Sequence, residues 1–209
     1  MKAGLRAAVW MGSAALAVAA LAGEEWTPLF NGKDLEGWKA TGGKWTVEDG
    51  CLLGQQDNGK VGDLWTTKEF DNFELRFTYK VVWPANSGIW YRGTSYQFDI
   101  LKYKSPLAYS GSLYCPACRT TFIFVNLDES LENRDGWNEG RVYANGDHLI
   151  HWLNGKQVGE CHDKTGAKGK IGIQIHGGDF GGGMKIFLKK IELRPLKEGD
   201  PPPKTPEAS

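Results

Sequence analysis

His176 stands near the end of the run Lys170–Gly178, KIGIQIHGG, in which Ile171, Ile173 and Ile175 alternate with Gly172, Gln174 and His176. Period-2 alternation marks a strand with one buried face. The second face lacks the usual solvated mixture and carries a glycine, an amide and an imidazole. An imidazole there can move protons near neutral pH or ligate a metal. A second strand, YQFDI (Tyr96–Ile100), places Gln97 and Asp99 on one face. A carboxylate turned inward on a sheet must be paired or functional. A third segment, NSGIWYRG (Asn86–Gly93), sets Trp90 and Arg92 on a common face. The guanidinium could stabilise an oxyanion, grip hydroxyls or pair with Asp99; the indole could stack on a ring or pack in the core. Tyr114 and Asn138, in the GSLY and GWNE segments, are further candidates to line a site with Gln174. Together these residues offer proton transfer beside a stabilised oxyanion. His151 lies between Leu149 and Leu153 on its strand face and reads as a core histidine.

The elements that must position them are strands. Runs of strand type recur between Gly, Asn and Asp clusters: Trp45–Val47, Cys51–Gly54, Asp63–Thr66, Asn72–Val82, Gly88–Tyr91, Tyr96–Leu101, Thr121–Phe124, Gly136–Ala144, His148–Leu153, Lys156–Cys161, Lys170–His176 and Met184–Arg194. Asn154-Gly155 between two of them is a strong hairpin signal, because both residues tolerate positive φ. Helical periodicity is scarce. Many strands with short turns predict an antiparallel sandwich or barrel. The Pro-rich tail, residues 196–209, has few apolar side chains and is expected to be disordered.

The first 22 residues read as a secretory signal peptide. Lys2 and Arg6 precede an uncharged run from Ala7 to Leu21, and Ala20-Leu21-Ala22 fits a small-x-small cleavage site. The run is too short for a comfortable membrane span, so export to the periplasm or the medium without a stable membrane anchor is expected. About 185 residues remain, enough for one domain over roughly 25–195. The 25 basic and 25 acidic residues cancel, which argues against nucleic acid as a partner. The 28 glycines suit a turn-rich β protein, and the 9 tryptophans suit sugar stacking as well as core packing. No GxGxxG, P-loop, HExxH or GxSxG motif occurs, and GDFGGG (Gly178–Gly183) lies between strands and reads as a loop. After export the four cysteines can oxidise. CPAC closes easily, so Cys115–Cys118 is expected, leaving Cys51–Cys161 as the second bridge. A redox CxxC would want a helix N-terminus in a βαβ unit, and a zinc site would want two further ligands.

In order along the chain stand LFNGKDLEGW (Leu29–Trp38), WTVEDGCLLG (Trp45–Gly54), DNFELRFTYK (Asp71–Lys80), NSGIWYRG, YQFDI, GSLY (Gly111–Tyr114), WNEGRVYANGDHLIHWLNGKQV (Trp137–Val158) and GKIGIQIHGG (Gly169–Gly178). Over nearly the whole mature chain this resembles the 3-keto-disaccharide hydrolase family. The resemblance implies an all-β, concanavalin A-like jelly-roll sandwich of two antiparallel sheets, with a carbohydrate site on the concave face. It also implies action on glycosides already oxidised at sugar C3; a noncatalytic carbohydrate-binding module on the same fold is the alternative. Ser95 departs from the pattern, since many relatives carry Glu two residues before the Gln of the YQFDI-like strand.

A ketone at C3 acidifies the C2 hydrogen, so a base can remove it and the C1 substituent can leave by elimination. Water then adds back. This route differs from the paired-carboxylate route of ordinary glycosidases. His176 and Asp99 are the candidate catalytic groups, with Arg92, Gln97, Gln174, Trp90, Tyr114 and Asn138 binding substrate. No cofactor is required by the sequence, and a divalent metal ion is left open. N-terminal sequencing of the exported protein is expected to begin at or near Gly23; an intact Met1 would refute the leader.

Overall fold

The computed structural model describes residues 25–56, 59–177 and 183–204. The expected leader and all but the last residue of the Gly178–Gly183 loop lie outside them. One sheet of seven strands runs β10 (Phe122–Asn126), β9 (Leu107–Tyr114), β8 (Tyr96–Lys104), β7 (Asn86–Tyr91), β14 (Gly172–Ile175), β5 (Gly62–Thr66) and β2 (Trp38–Ala40). The other runs β13 (Lys156–His162), β12 (His148–Leu153), β11 (Asn138–Asn145), β6 (Phe73–Val82), β15 (Lys185–Pro195), β4 (Cys51–Gln55) and β3 (Lys44–Glu48), with β1 (Thr27–Pro28) on β15. Every strand pairing is antiparallel. The only helical element among the described residues is a 3-10 turn at Glu129–Leu131. No described helix is long and apolar enough to cross a membrane.

The pleat explains the layering. On β6, Phe73, Leu75, Phe77, Tyr79 and Val81 enter the core, as do Phe98 and Ile100 on β8 and Ile173 and Ile175 on β14. Burying each such side chain stabilises the fold by about 1.5–3 kcal/mol, which fixes register because a one-residue slip would turn the whole set outward. His151 joins the sheets from β12. Its Nδ1 donates to Gly111 O at 2.9 Å, so its Nε2 accepts from Tyr91 Oη at 2.9 Å. Burial drives its pKa down to about 3, so it is neutral, the core histidine expected. The Asn154-Gly155 hairpin forms as expected, with φ of 48° and 80°.

Three expectations are corrected. The GSLY segment, outside the strands read from the sequence, lies in a strand, β9, whose alternation is broken where Gly111 adopts a φ of 95°; its pairing with β8 is interrupted between Leu113 and Tyr109 and resumes in the same register. The start of the tail is also ordered. Leu196 N donates to Asn72 O at 3.0 Å, and Asn145 Nδ2 donates to Lys197 O at 2.9 Å and Asp200 O at 3.1 Å. Composition missed this because the partners lie far away in sequence.

The third correction concerns the cysteines. Cys115–Cys118 is a disulfide with a Cα separation of 5.4 Å, but Cys51 and Cys161 are free. They sit on β4 and β13, five strand spacings apart in the same sheet. At about 4.8 Å per spacing that is roughly 24 Å, against the ~4–7 Å a bridge needs. Thiol titration of the denatured protein should therefore find two thiols per chain. Burial pushes Cys161 up to about 11, so it should react slowly in the native state at pH 8. A reading near zero after denaturation would overturn this assignment.

Candidate functional site

The outer face of the seven-stranded sheet is built in rows. Strand register sets Asp63 beside Gln174, Gln174 beside Gly88, and Gly88 beside Asp99. The next row runs Lys39, Trp65, Gly172, Trp90, Gln97 and Tyr114. Gly88 matters because it has no side chain. A Cβ there would lie 2.6 Å from Gln97 Cγ and Cδ. The Gln97 amide instead passes over β7 and donates to Gln174 Oε1 at 3.0 Å.

Between these rows lies a cavity of about 150 Å³ lined by Asn86, Trp90, Gln97, Asp99, Leu101, Tyr103, Tyr114, Thr121, Phe122, Gln174 and His176. Trp90 and Tyr114 form its aromatic wall, ring centroids 5.9 Å apart. Cys115 follows Tyr114 directly, and its N–H donates to Thr121 O at 3.0 Å. The Cys115–Cys118 disulfide thus closes the loop that carries the wall from β9 to β10.

Asp99 is the decisive residue. It is only 2% exposed, and no side chain or backbone group among the described residues hydrogen-bonds its carboxyl. Burial alone holds its pKa well above the usual carboxylate range. The Tyr114 phenol is also raised, by burial and then by the neighbouring Asp99. His176 sits exposed just past β14, with Nδ1 donating to Gly177 O at 2.8 Å. Asp63, beside Gln174, was missed by the sequence reading; burial pushes it up to about 6, with His176 pulling the other way. The signal available was its alternation with Leu64 on GDLWT.

Of the residues expected to bind or react, the cavity brings together His176, Asp99, Gln97, Gln174, Trp90 and Tyr114. Arg92 does not join them. Its φ of 53° ends the extended alternation of β7 and swings the side chain away. The guanidinium is buried, donating to Asp71 O at 3.0 and 3.1 Å, Gly146 O at 2.7 Å and Gly166 O at 2.9 Å. It binds three loops, not Asp99. Asn138 is on β11 in the opposite sheet, where Oδ1 accepts from Asn133 N at 2.7 Å and Asn154 Nδ2 at 2.8 Å. Ser95 packs against Gly166 at the β7–β8 turn, outside the cavity lining.

A larger groove of about 340 Å³ crosses the outer face of the other sheet, around Trp26, Glu74, Arg76, Arg141, Trp152 and Arg194. Its arginines are held by carboxylates: Glu74 holds Arg141 and Arg194, and Glu192 holds Arg76. Asp99 has no such partner among the described residues, which favours the smaller cavity as the chemical site. Among the described residues no three His, Cys, Asp or Glu side chains converge to hold a metal ion.

The paired sheets define a concanavalin A-like jelly-roll sandwich with an open polar-aromatic cavity on one outer face. A carbohydrate binding module, CBM66 of Bacillus subtilis, shares it at a TM-score of 0.58 and 12% identity, covering 76% of this chain and 95% of that one. A candidate glycosyl hydrolase of Parabacteroides distasonis aligns at a TM-score of 0.64 and 24% identity, over 82% of this chain and 100% of that one. At these identities the likeness speaks for the fold. The chain belongs to the family of the 3-keto-alpha-glucoside-1,2-lyase-like domain, whose model matches residues 25–194. A 3-keto-disaccharide hydrolase of Bacteroides thetaiotaomicron is 40% identical over 74 residues, 30% of this chain and 26% of that relative. The match thus spans about a quarter of the relative's length.

The Asp99 arrangement has a thermodynamic signature. Its folded pKa is raised, so above the unfolded value of about 3.9 the native state holds a proton that the unfolded chain releases. Stability contributed by this group is therefore full below that pH and declines as pH rises toward the folded pKa. Asp99→Asn, which carries no titratable proton, should gain on wild type by up to about 1.4 kcal/mol per pH unit above pH 4. Denaturant unfolding at pH 4, 6 and 8 measures this; a gap that does not change with pH would refute it.

Proposed function

We propose that the protein is an exported enzyme that cleaves 3-keto-glycosides by elimination across C1–C2 followed by hydration. The observation that carries this reading is the pair of titratable groups with contrasting environments on one cavity. Asp99 is buried, with a pKa raised by desolvation, whereas His176 stands at the mouth. Groups whose surroundings differ in this way divide acid and base roles. His176 takes the C2 proton. The electron pair forms the enolate across C2 and C3; as the C3 carbonyl re-forms, the pair shifts to make the C1–C2 double bond, the C1–O bond breaks, and Asp99 gives its proton to the departing oxygen. Water then adds at C1, Asp99 recovering a proton from it while His176 returns its proton to C2. Gln97 and Gln174, joined at 3.0 Å, offer amide groups to the sugar hydroxyls, and Trp90 and Tyr114 offer an apolar wall.

The family's description as a 1,2-lyase-like domain fits the first half of this cycle, and the Bacteroides relative named a hydrolase fits the sum of both halves. The leader-like residues 1–22 and the Cys115–Cys118 disulfide support placing the protein outside the reducing cytosol. The Bacillus subtilis module supports the second reading, sugar binding without cleavage.

The test compares p-nitrophenyl 3-keto-glucoside with its unoxidised glucoside. Release from the keto substrate alone, with solvent deuterium entering C2, is the expected result, and parallel assays with and without chelator report whether a divalent ion takes part. His176→Ala should lose about 10²–10⁴-fold in kcat together with the exchange. Gln174→Ala should chiefly raise KM. Sugar binding without release would establish the second reading and overturn the first.

A further inference from the structure

The cavity is small for a disaccharide. Pockets that enclose a ligand of drug size occupy about 300–1,000 Å³, whereas this one holds about 150 Å³. One pyranose ring fills it, so a second ring must lie outside. Phe122 and the disulfide-stapled loop bound the cavity toward β10, and Gln174 and the exposed His176 bound it on the side of β14.

Beyond Gln174 the sheet face continues onto β5 and the edge strand β2. There the two rows end in Asp63 and Trp65, with Lys39 and Thr41 alongside. Trp65 is half-buried, and its benzo ring lies across Gly172: a Cβ at that position would be 2.6 Å from Cε3 and Cζ3. A glycine in a strand interior is a site of close approach. Here it lets the indole lie over β14, one strand nearer the cavity than its own backbone. By strand count the Trp65 and Trp90 backbones are two spacings apart, about 10 Å. Because the indole lies over β14, the gap between the aromatic faces is nearer one spacing, about 5 Å, and adjoining rings of one disaccharide can rest on both. Trp65 shares its sheet face with residues whose groups pair with hydroxyls, Asp63 two positions before it on β5 and Lys39 opposite it on β2. An aromatic shelf edged by a carboxylate and a cation has the chemistry of a site for an uncharged pyranose.

We propose that Trp65, with Asp63 and Lys39, forms a second sugar subsite that holds the leaving-group pyranose of a 3-keto-disaccharide while the oxidised ring occupies the cavity. The proposal rests on the assignment of the cavity to the keto sugar. It makes Trp65 a specificity-determining residue for the leaving group, acting on binding and not on proton transfer.

The experiment uses the full chain and two substrates that differ only in the aglycone, methyl 3-keto-glucoside and a 3-keto-glucosyl-glucose. Trp65→Ala should lower kcat/KM about tenfold on the disaccharide, mainly through KM, and by less than twofold on the methyl glycoside. Trp65→Phe, which keeps an aromatic face, should recover most of the loss. Equal losses on both substrates, or no loss on either, would overturn the subsite. Should wild type cleave neither substrate, the catalytic reading fails by itself and the shelf is judged by calorimetric titration with unoxidised glucose and glucosyl-glucose. Tighter binding of the disaccharide by wild type, abolished in Trp65→Ala, supports the shelf. Equal binding of the two sugars, or none, refutes it.

Discussion

The pleat of β8 is the constraint on which the rest depends. Phe98 and Ile100 must lie between the sheets, where both are fully buried. Because successive side chains point to opposite faces, Gln97 and Asp99 are then forced onto the outer face. Their neighbours complete the arrangement. Gly88 leaves β7 bare so that Gln97 can reach Gln174, and Trp90 and Tyr114 line the same cavity as Asp99. Core packing and site geometry are thus two faces of the same strands.

Such a site works against stability. A buried polar group without a hydrogen bond costs on the order of 1–3 kcal/mol, comparable with the burial of one core side chain. The sandwich tolerates this because the opposite face of the same strands is almost wholly apolar, and because His151 satisfies both of its ring nitrogens between the sheets. The contrast with the other sheet is instructive. Glu74, equally buried, is held by two arginines and is electrostatically settled. Two buried carboxyls in one fold therefore have different uses: one ties a network together, and the other has no partner among the described residues and lies beside a cavity.

Polar residues in neighbouring segments are divided in the same way. Arg92 stands only two residues beyond Trp90, yet a change to positive φ diverts it to three backbone carbonyls. Its work is to join the ends of loops that begin near residues 71, 146 and 166. Asn138 likewise fixes the turn ahead of β11 against Asn133 and Asn154. Both are buried polar groups that form the hydrogen bonds burial demands, which leaves neither available to a ligand in the cavity.

The sequence by itself determined what depends on local periodicity. Alternation on YQFDI and KIGIQIHGG showed that Gln97, Asp99 and Gln174 occupy the polar faces of their strands, with His176 just beyond the end of its strand, and Asn154-Gly155 marked its hairpin. The order of segments along the chain was enough to point to the family and its fold. Tertiary structure alone decided what depends on which strands become neighbours. It put Asp63 and Trp65 beside a strand more than a hundred residues later, set Cys51 and Cys161 five strands apart, and folded the start of the tail onto Asn145. It also turned Arg92 out of the site by one backbone dihedral. The physical reason is that side-chain direction along a strand repeats every two residues and can be read locally. Strand order, by contrast, is fixed by burial summed over the whole sheet, and no short window of sequence contains it.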